Sequence, residues 1–400
     1  MKFKHAFIPY GAYWSTPFCK WQGSLAGLHA LRFAGDVARE ALAARKIAPD
    51  SLDGLIVGTT VPQIHTLYAG PWLAALIGAE AATGPTVSQA CATGARTLAT
   101  AAAEIETGER RTVLTVTADR CSNGPHIYYP NPQGPGGTGE KEDWVLDSFG
   151  HDPWAKNSML QTAENVAAEA GISRAEQDDI TVVRFRQYQD ALANDSAFLR
   201  RFMTLPLEVK DARGRVVAKV AGDEGVFATT AEGLAGLKPL VKDGSVTFGS
   251  QTHPADGNCG MVVCDAERAK ALSRDAKIPV QVLAFAQARA KKGFMAMATV
   301  PAARAALQEA GLAIGQVKVV KTHNPFAVND AYFARQMELK IEAFNQFGSS
   351  LIYGHPQGPT GTRLIIETIE ELALKGGGLG LFVGCAAGDT AAAVVVKVGG

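Results

Sequence analysis

Between residues 23 and 47 apolar side chains recur at helical spacing (GSLAGLHALRFAGDVAREALAARKI), which predicts a helix with one buried stripe. The apolar run at 54–59 (GLIVGT) is short and continuous, as in a strand covered on both faces. Residues 92–107 are Ala-rich and helical, and 112–118 (TVLTVTA) form another strand. This alternation predicts an α/β fold, a largely buried sheet with helices on its faces. The stretch YYPNPQGPGGTGEKED, within 121–157, breaks the pattern; its Pro and Gly exclude a regular helix or strand. So long an insertion in a compact α/β chain points to function. Helices are expected again at 159–170 and 174–194, irregular structure over 205–250, and a regular pattern from about 260 to the end.

Two stretches repeat. Thr93-Gly94-Ala95-Arg96 opens a helix carrying Glu104, and Thr360-Gly361-Thr362-Arg363 opens one carrying Glu371. Apolar strands follow both, at 112–118 and 379–383. The shared context predicts an internal duplication: two similar halves packed side by side, with a long insertion between strands of the first.

Composition narrows the class. Of 400 residues, 47% are hydrophobic, enough for a sizeable core, and 39 basic residues balance 39 acidic ones. No basic excess marks a nucleic-acid partner, and no apolar run is long enough to span a bilayer. The opening residues MKFKHAFIPYGAYW lack the apolar core of a signal peptide, so a cytoplasmic enzyme is expected. The cysteines (Cys19, Cys91, Cys121, Cys259, Cys264 and Cys385) show no CxxC pair or zinc-finger spacing, so free thiols and no metal site are expected.

Four residues carry candidate chemistry. Cys91 lies between an apparent strand and the Ala-rich helix, where unpaired N–H groups would lower its pKa and make it nucleophilic; the alternative is a buried structural cysteine. Gly94 gives that turn little bulk. His355, in the loop before the second repeat helix, should face Cys91 across the pseudo-twofold axis as a general base, or else be satisfied by backbone. Cys385 follows the last repeat strand, as a proton-transferring thiol or a small core residue. His323 or Asn324 could donate to an oxyanion, or serve a helix-capping turn.

Together these residues resemble the thiolase family over nearly the whole chain. Cys91-Ala-Thr-Gly matches its C-x-x-G turn, and DRCSNGP (119–125) is similar to its ESMSNAP segment. MLQTAENVA from Met159 with the following ISRAEQD, TTAEGLAGLKPLV (229–241) and GHPQGPTGTR resemble its MxxTAENVA…ISREEQD, TTxExLAxLKPxF and GHPLGASGAR. Cys385 stands at its CxGGG cysteine. The resemblance implies two duplicated five-stranded βαβαβαββ halves in five layers, α-β-α-β-α. The first half would take residues 1–120 plus 246–268, a coenzyme A-binding loop domain 121–245, and the second half 269–400.

The same resemblance implies thiolytic cleavage of a 3-ketoacyl-CoA, or Claisen condensation, through a Cys91 acyl-enzyme, with coenzyme A as substrate and no tightly bound cofactor. His355 would activate Cys91, Cys385 would exchange a proton at C2, and the N–H groups of Cys91 and Ala387 with His355 and His323 would form the oxyanion hole. Met159, Thr252, His253 and Phe326 would meet coenzyme A, with Arg184, Arg186 and Lys210 as phosphate candidates or solvated surface cations. A homodimer or homotetramer is implied.

Three departures stand out. His323-Asn-Pro-Phe replaces the usual Asn-Glu-Ala-Phe and is similar to the HDCF motif of sterol-carrier-protein-linked thiolases. Cys385-Ala-Ala-Gly replaces CxGGG, and Ser250-Gln-Thr-His-Pro-Ala-Asp-Gly replaces NASGxNDG. They suggest a branched, aromatic or carboxylated acyl group. Two alternatives follow from relatives: some of the HDCF type work with a small zinc-containing OB-fold protein, and some sterol-side-chain relatives are thiolase-like lyases on the same fold. Retention of Cys91, His355 and Cys385 argues against the lyase.

Overall fold

The computed structural model describes residues 1–211 and 213–399. One sheet runs Tyr13–Ser15, Ala255–Cys264, Thr112–Arg120, Gly54–Gly58, Thr86–Val87 across, with Cys19–Lys20 also on Ala255–Cys264. The other runs Val280–Arg289, Thr390–Val398, Gly378–Ala386, Val317–His323. Each has the same centre. Gly54–Gly58 lies parallel to Thr112–Arg120 as Val317–His323 does to Gly378–Ala386, and an antiparallel strand closes each pair. In the second sheet that strand follows a three-residue turn, residues 387–389. In the first it returns only at Ala255, after the insertion.

Five layers result. Helices Ala30–Ala44 and Ala69–Ile77 cover the outer face of the first sheet, and Thr299–Ala310 and Ala327–Met337 that of the second. Between the sheets lie Thr93–Glu106 and Gly358–Leu374. The latter is buried from Gly358 to Leu372, charges included. Arg363 donates to both oxygens of Asp223 (2.6 and 2.8 Å) and to Glu367 (2.9 Å), and Lys321 pairs with Glu371 at 3.3 Å.

The repeated Thr-Gly explains how these inner helices meet. A Cβ on Gly94 would lie 2.5 Å from the Thr362 nitrogen and 2.7 Å from the Gly358 oxygen. On Gly361 it would lie 3.2 Å from the Ala95 nitrogen. Each glycine therefore lets one helix backbone lie on the other, and the two helix starts sit side by side. Gly94 thus serves the crossing; the sharp turn is at Ala90, with φ +43°.

Several elements differ from the sequence reading. The first helix begins only at Ala30, because residues 21–28 form turns pinned by Glu224, which accepts from the Ser24 N–H and hydroxyl. Both ends of the Pro/Gly-rich stretch are strands: His126–Tyr129 pairs with Glu140–Asp143, and the prolines fall in the connecting loop, where no ladder donor is needed. A second hairpin, Leu207–Lys210 with Val216–Val220, lies in the stretch expected to be irregular. The helix Ala69–Ile77, apolar on nearly every side, carried no clear period. No helix among the described residues is long and apolar enough to cross a membrane.

Candidate active site

Cys91 is half-buried, just before the inner helix Thr93–Glu106. The turn around it is tied locally: the Thr93 hydroxyl accepts from the Gln89 N–H (2.8 Å) and donates to the Ala90 carbonyl (2.7 Å). The Cys91 thiol donates to Gln357 Oε1 at 3.3 Å. Gln357 sits at φ +61°, a left-handed conformation unusual for a side-chain-bearing residue, immediately before Gly358. The Gly358 N–H donates at 2.9 Å to buried Asp119, which also accepts from Thr59, Thr60 and Val61.

Two imidazoles complete the centre. The rings of His323 and His355 are 4.1 Å apart between centroids and tilted by 32°. His355 Nδ1 bonds the Thr360 hydroxyl at 2.6 Å, and His323 Nδ1 bonds the Ser350 hydroxyl at 2.7 Å. Both Nε2 atoms are buried without a hydrogen-bond partner. A nitrogen of each ring and the Cys91 sulfur lie within 4.8 Å of one another.

Behind His323, Asn324 Nδ2 donates to Asp330 at 2.6 Å and its Oδ1 accepts from Ser350, the residue that orients the His323 ring. Asp330 pairs with Arg184 at 2.7 Å, both fully buried. Cys385 is also fully buried and accepts from Asn329 Nδ2 at 3.2 Å.

The centre opens into a cavity of about 970 Å³. Cys91, His355, Gln357, Ala387 and Gly388 line its reactive end. Met159, Thr252 and Phe326 line it too, as do Trp144, Phe149 and Trp154 from the insertion, with Arg289. Cys385 and His323 are fully buried and are not among its lining residues, though a His323 ring nitrogen comes within 4.8 Å of the Cys91 sulfur.

Burial sets the protonation states. It pushes the Cys91 thiol up to about 12, while the Ala387 N–H and the Cys91 N–H pull it down less strongly. It pushes His355 down to about 3 and His323 well below its ordinary value, the latter helped by neighbouring His355. The expectation of a lowered cysteine pKa is therefore corrected for the free protein: loss of water outweighs the helix-start donors. The resting pair at neutral pH is an uncharged thiol and an uncharged imidazole. His355 can accept a proton, and any thiolate must form when a substrate enters.

Other expectations also change. His253 does not border the cavity; its ring bonds the Glu224 carbonyl at 3.3 Å, and its own carbonyl holds the His355 N–H at 2.9 Å. Arg184 is a fully buried ion-pair partner, Arg186 is exposed and Lys210 pairs with Glu40. None of the three borders the cavity. Sequence reasoning missed Gln357, Asp119, Asn329 and Ser350. Of these, Gln357 carried a signal, being the polar residue where the GHPLGASGAR pattern has leucine.

Two family models match the chain, "Thiolase, N-terminal domain" over residues 12–267 and "Thiolase, C-terminal domain" over residues 276–398. The chain belongs to the thiolase family. It is 28% identical to an acetyl-CoA acetyltransferase of Yarrowia lipolytica (96% of this chain, 94% of that protein). It is 26% identical to the mitochondrial 3-ketoacyl-CoA thiolase of Homo sapiens (96% of each). The solved structure of human mitochondrial 3-ketoacyl-CoA thiolase superposes with a TM-score of 0.89, at 26% identity, covering 98% of this chain and 99% of that one. That of the Bacillus anthracis acetyl-CoA acetyltransferase gives 0.90, at 25% identity and 99% of each. This thiolase is an acyltransferase.

Proposed function

We propose that this thiolase cleaves a 3-ketoacyl-CoA with coenzyme A, or runs the reverse Claisen condensation, through an acyl group carried on Cys91. The observation carrying the reading is the convergence of the Cys91 sulfur with a ring nitrogen of each of His323 and His355, beside the cavity that Cys91 and His355 line. In the cleavage direction the Cys91 thiol passes its proton to His355 Nε2 as its sulfur attacks the 3-keto carbonyl. The Cys91 and Ala387 N–H groups point at that sulfur, so an oxyanion formed beside it lies within their reach. His355 and His323 hold the thioester oxygen, and the bond to C2 breaks. Cys385, which accepts from Asn329, gives its own thiol proton to C2 as acetyl-CoA leaves. Coenzyme A then takes the acyl group from Cys91: its thiol proton passes to the Cys385 sulfur, and His355 returns its proton to the Cys91 sulfur.

We assign coenzyme A to the cavity lined by Met159, Thr252 and Phe326, with residues 121–245 forming its other wall. Trp144, Phe149 and Arg289 there support an aromatic or carboxylated acyl group. The test is a panel of straight, branched, aromatic and carboxylated 3-ketoacyl-CoAs, each with and without coenzyme A. The expected result is coenzyme A-dependent appearance of two CoA esters. Cleavage that proceeds equally without coenzyme A would replace this reading with the lyase.

A further inference from the structure

Cys91, His323 and His355 are 232 and 32 residues apart along the chain, so no spacing rule brings them together. The fold does, with one ligand-type atom of each within 4.8 Å of the others. In both histidines Nδ1 is held by a hydroxyl, Ser350 or Thr360, which fixes the ring and leaves Nε2 free. Metal-binding imidazoles are oriented in the same way, through a partner on the other nitrogen. Both free Nε2 atoms are buried and have no protein partner. The Cys91 thiol donates to a single side chain, Gln357 Oε1, at 3.3 Å.

We propose that Cys91, His323 and His355 form a site for a borderline-soft divalent cation of the zinc class, which holds the protein inactive until it is removed. One sulfur and two imidazoles suit zinc or cobalt and not calcium or magnesium, which need oxygen ligands. Tetrahedral bonds of ~2.0–2.3 Å need ligand atoms roughly 3.5 Å apart, so from separations within 4.8 Å each pair must close by up to about 1.3 Å. Rotation of the Cys91 side chain off Gln357 supplies that movement. Cys91 and His355 line the cavity, which can supply water or a thiol as the fourth ligand. On binding, the Cys91 sulfur gives its electron pair to the cation and its proton goes to solvent; nothing is oxidised or reduced. The cation then occupies the sulfur and both nitrogens at once, so acyl transfer stops. This site rests on geometry and holds whichever acyl group the protein transfers.

The test is an anaerobic titration of the chelator-treated protein with cobalt(II), without substrate. One equivalent is expected to give the visible bands of a tetrahedral site and a near-ultraviolet sulfur-to-cobalt band, both displaced by zinc. His323→Asn should lower the affinity at least about tenfold and abolish the tetrahedral bands. Ser350→Ala, which leaves all three ligands in place, should weaken binding about 10–100-fold through the ring orientation. Octahedral-only spectra, or equal cobalt affinity in the wild type and both folded variants, would overturn the site while leaving the thiolase reading untouched.

Discussion

Replacing Cys91 by alanine is expected to lower kcat by roughly 10⁴-fold or more, because no other thiol among the described residues lines the cavity. Cys385 cannot substitute. It is fully buried, its sulfur accepts from Asn329, and burial together with the nearby Cys91 drives its thiol well above the ordinary value, so it serves as a proton donor and not as a resting nucleophile. The cavity is built mainly by other residues, so calorimetry should find the affinity for coenzyme A within about a factor of ten of wild type. Substantial turnover in the folded variant would remove Cys91 from the centre of the mechanism.

The largest stability effect is expected at Asp330. Its carboxylate accepts from Arg184 (2.7 Å), Thr322 (2.6 Å) and Asn324 (2.6 Å), and neither it nor Arg184 is exposed. Asp330→Ala leaves the guanidinium buried with only neutral acceptors, Gln187 and the Ile341 and Phe344 carbonyls. Removing one partner of a buried pair costs about 3–5 kcal/mol, far more than the net worth of the pair. Chemical denaturation should show that loss. Because Asn324 hangs on that carboxylate and in turn holds Ser350, which orients His323, the variant should also lose activity in conditions where it stays folded. An unchanged unfolding midpoint would mean that Arg184 finds another anion.

Much of this was legible in the sequence because it depends on local pattern. The buried strand 54–58, the inner helices and the repeated Thr-Gly follow from apolar runs and small residues at fixed places. The repeat placed Cys91 and His355 by two matching helix starts, which the close approach of Gly94 and Gly361 holds side by side. What remained hidden depends on distant pairing and on water. The hairpin His126–Tyr129 with Glu140–Asp143 arises from cross-strand bonds around a proline-rich loop. His253 looked like a cavity residue by position, yet its ring turns to Glu224 in the far part of the insertion. The raised Cys91 pKa was illegible because a helix start announces its N–H groups in sequence but not how deeply the thiol is buried.

The most direct measurement is the intact mass of the protein after brief incubation with acetyl-CoA, followed by peptide mapping. The account predicts one acetyl group per chain, on the peptide holding Cys91, lost again on adding coenzyme A. An acetyl group found on Cys385 or a surface residue, or none formed while turnover proceeds, would contradict it.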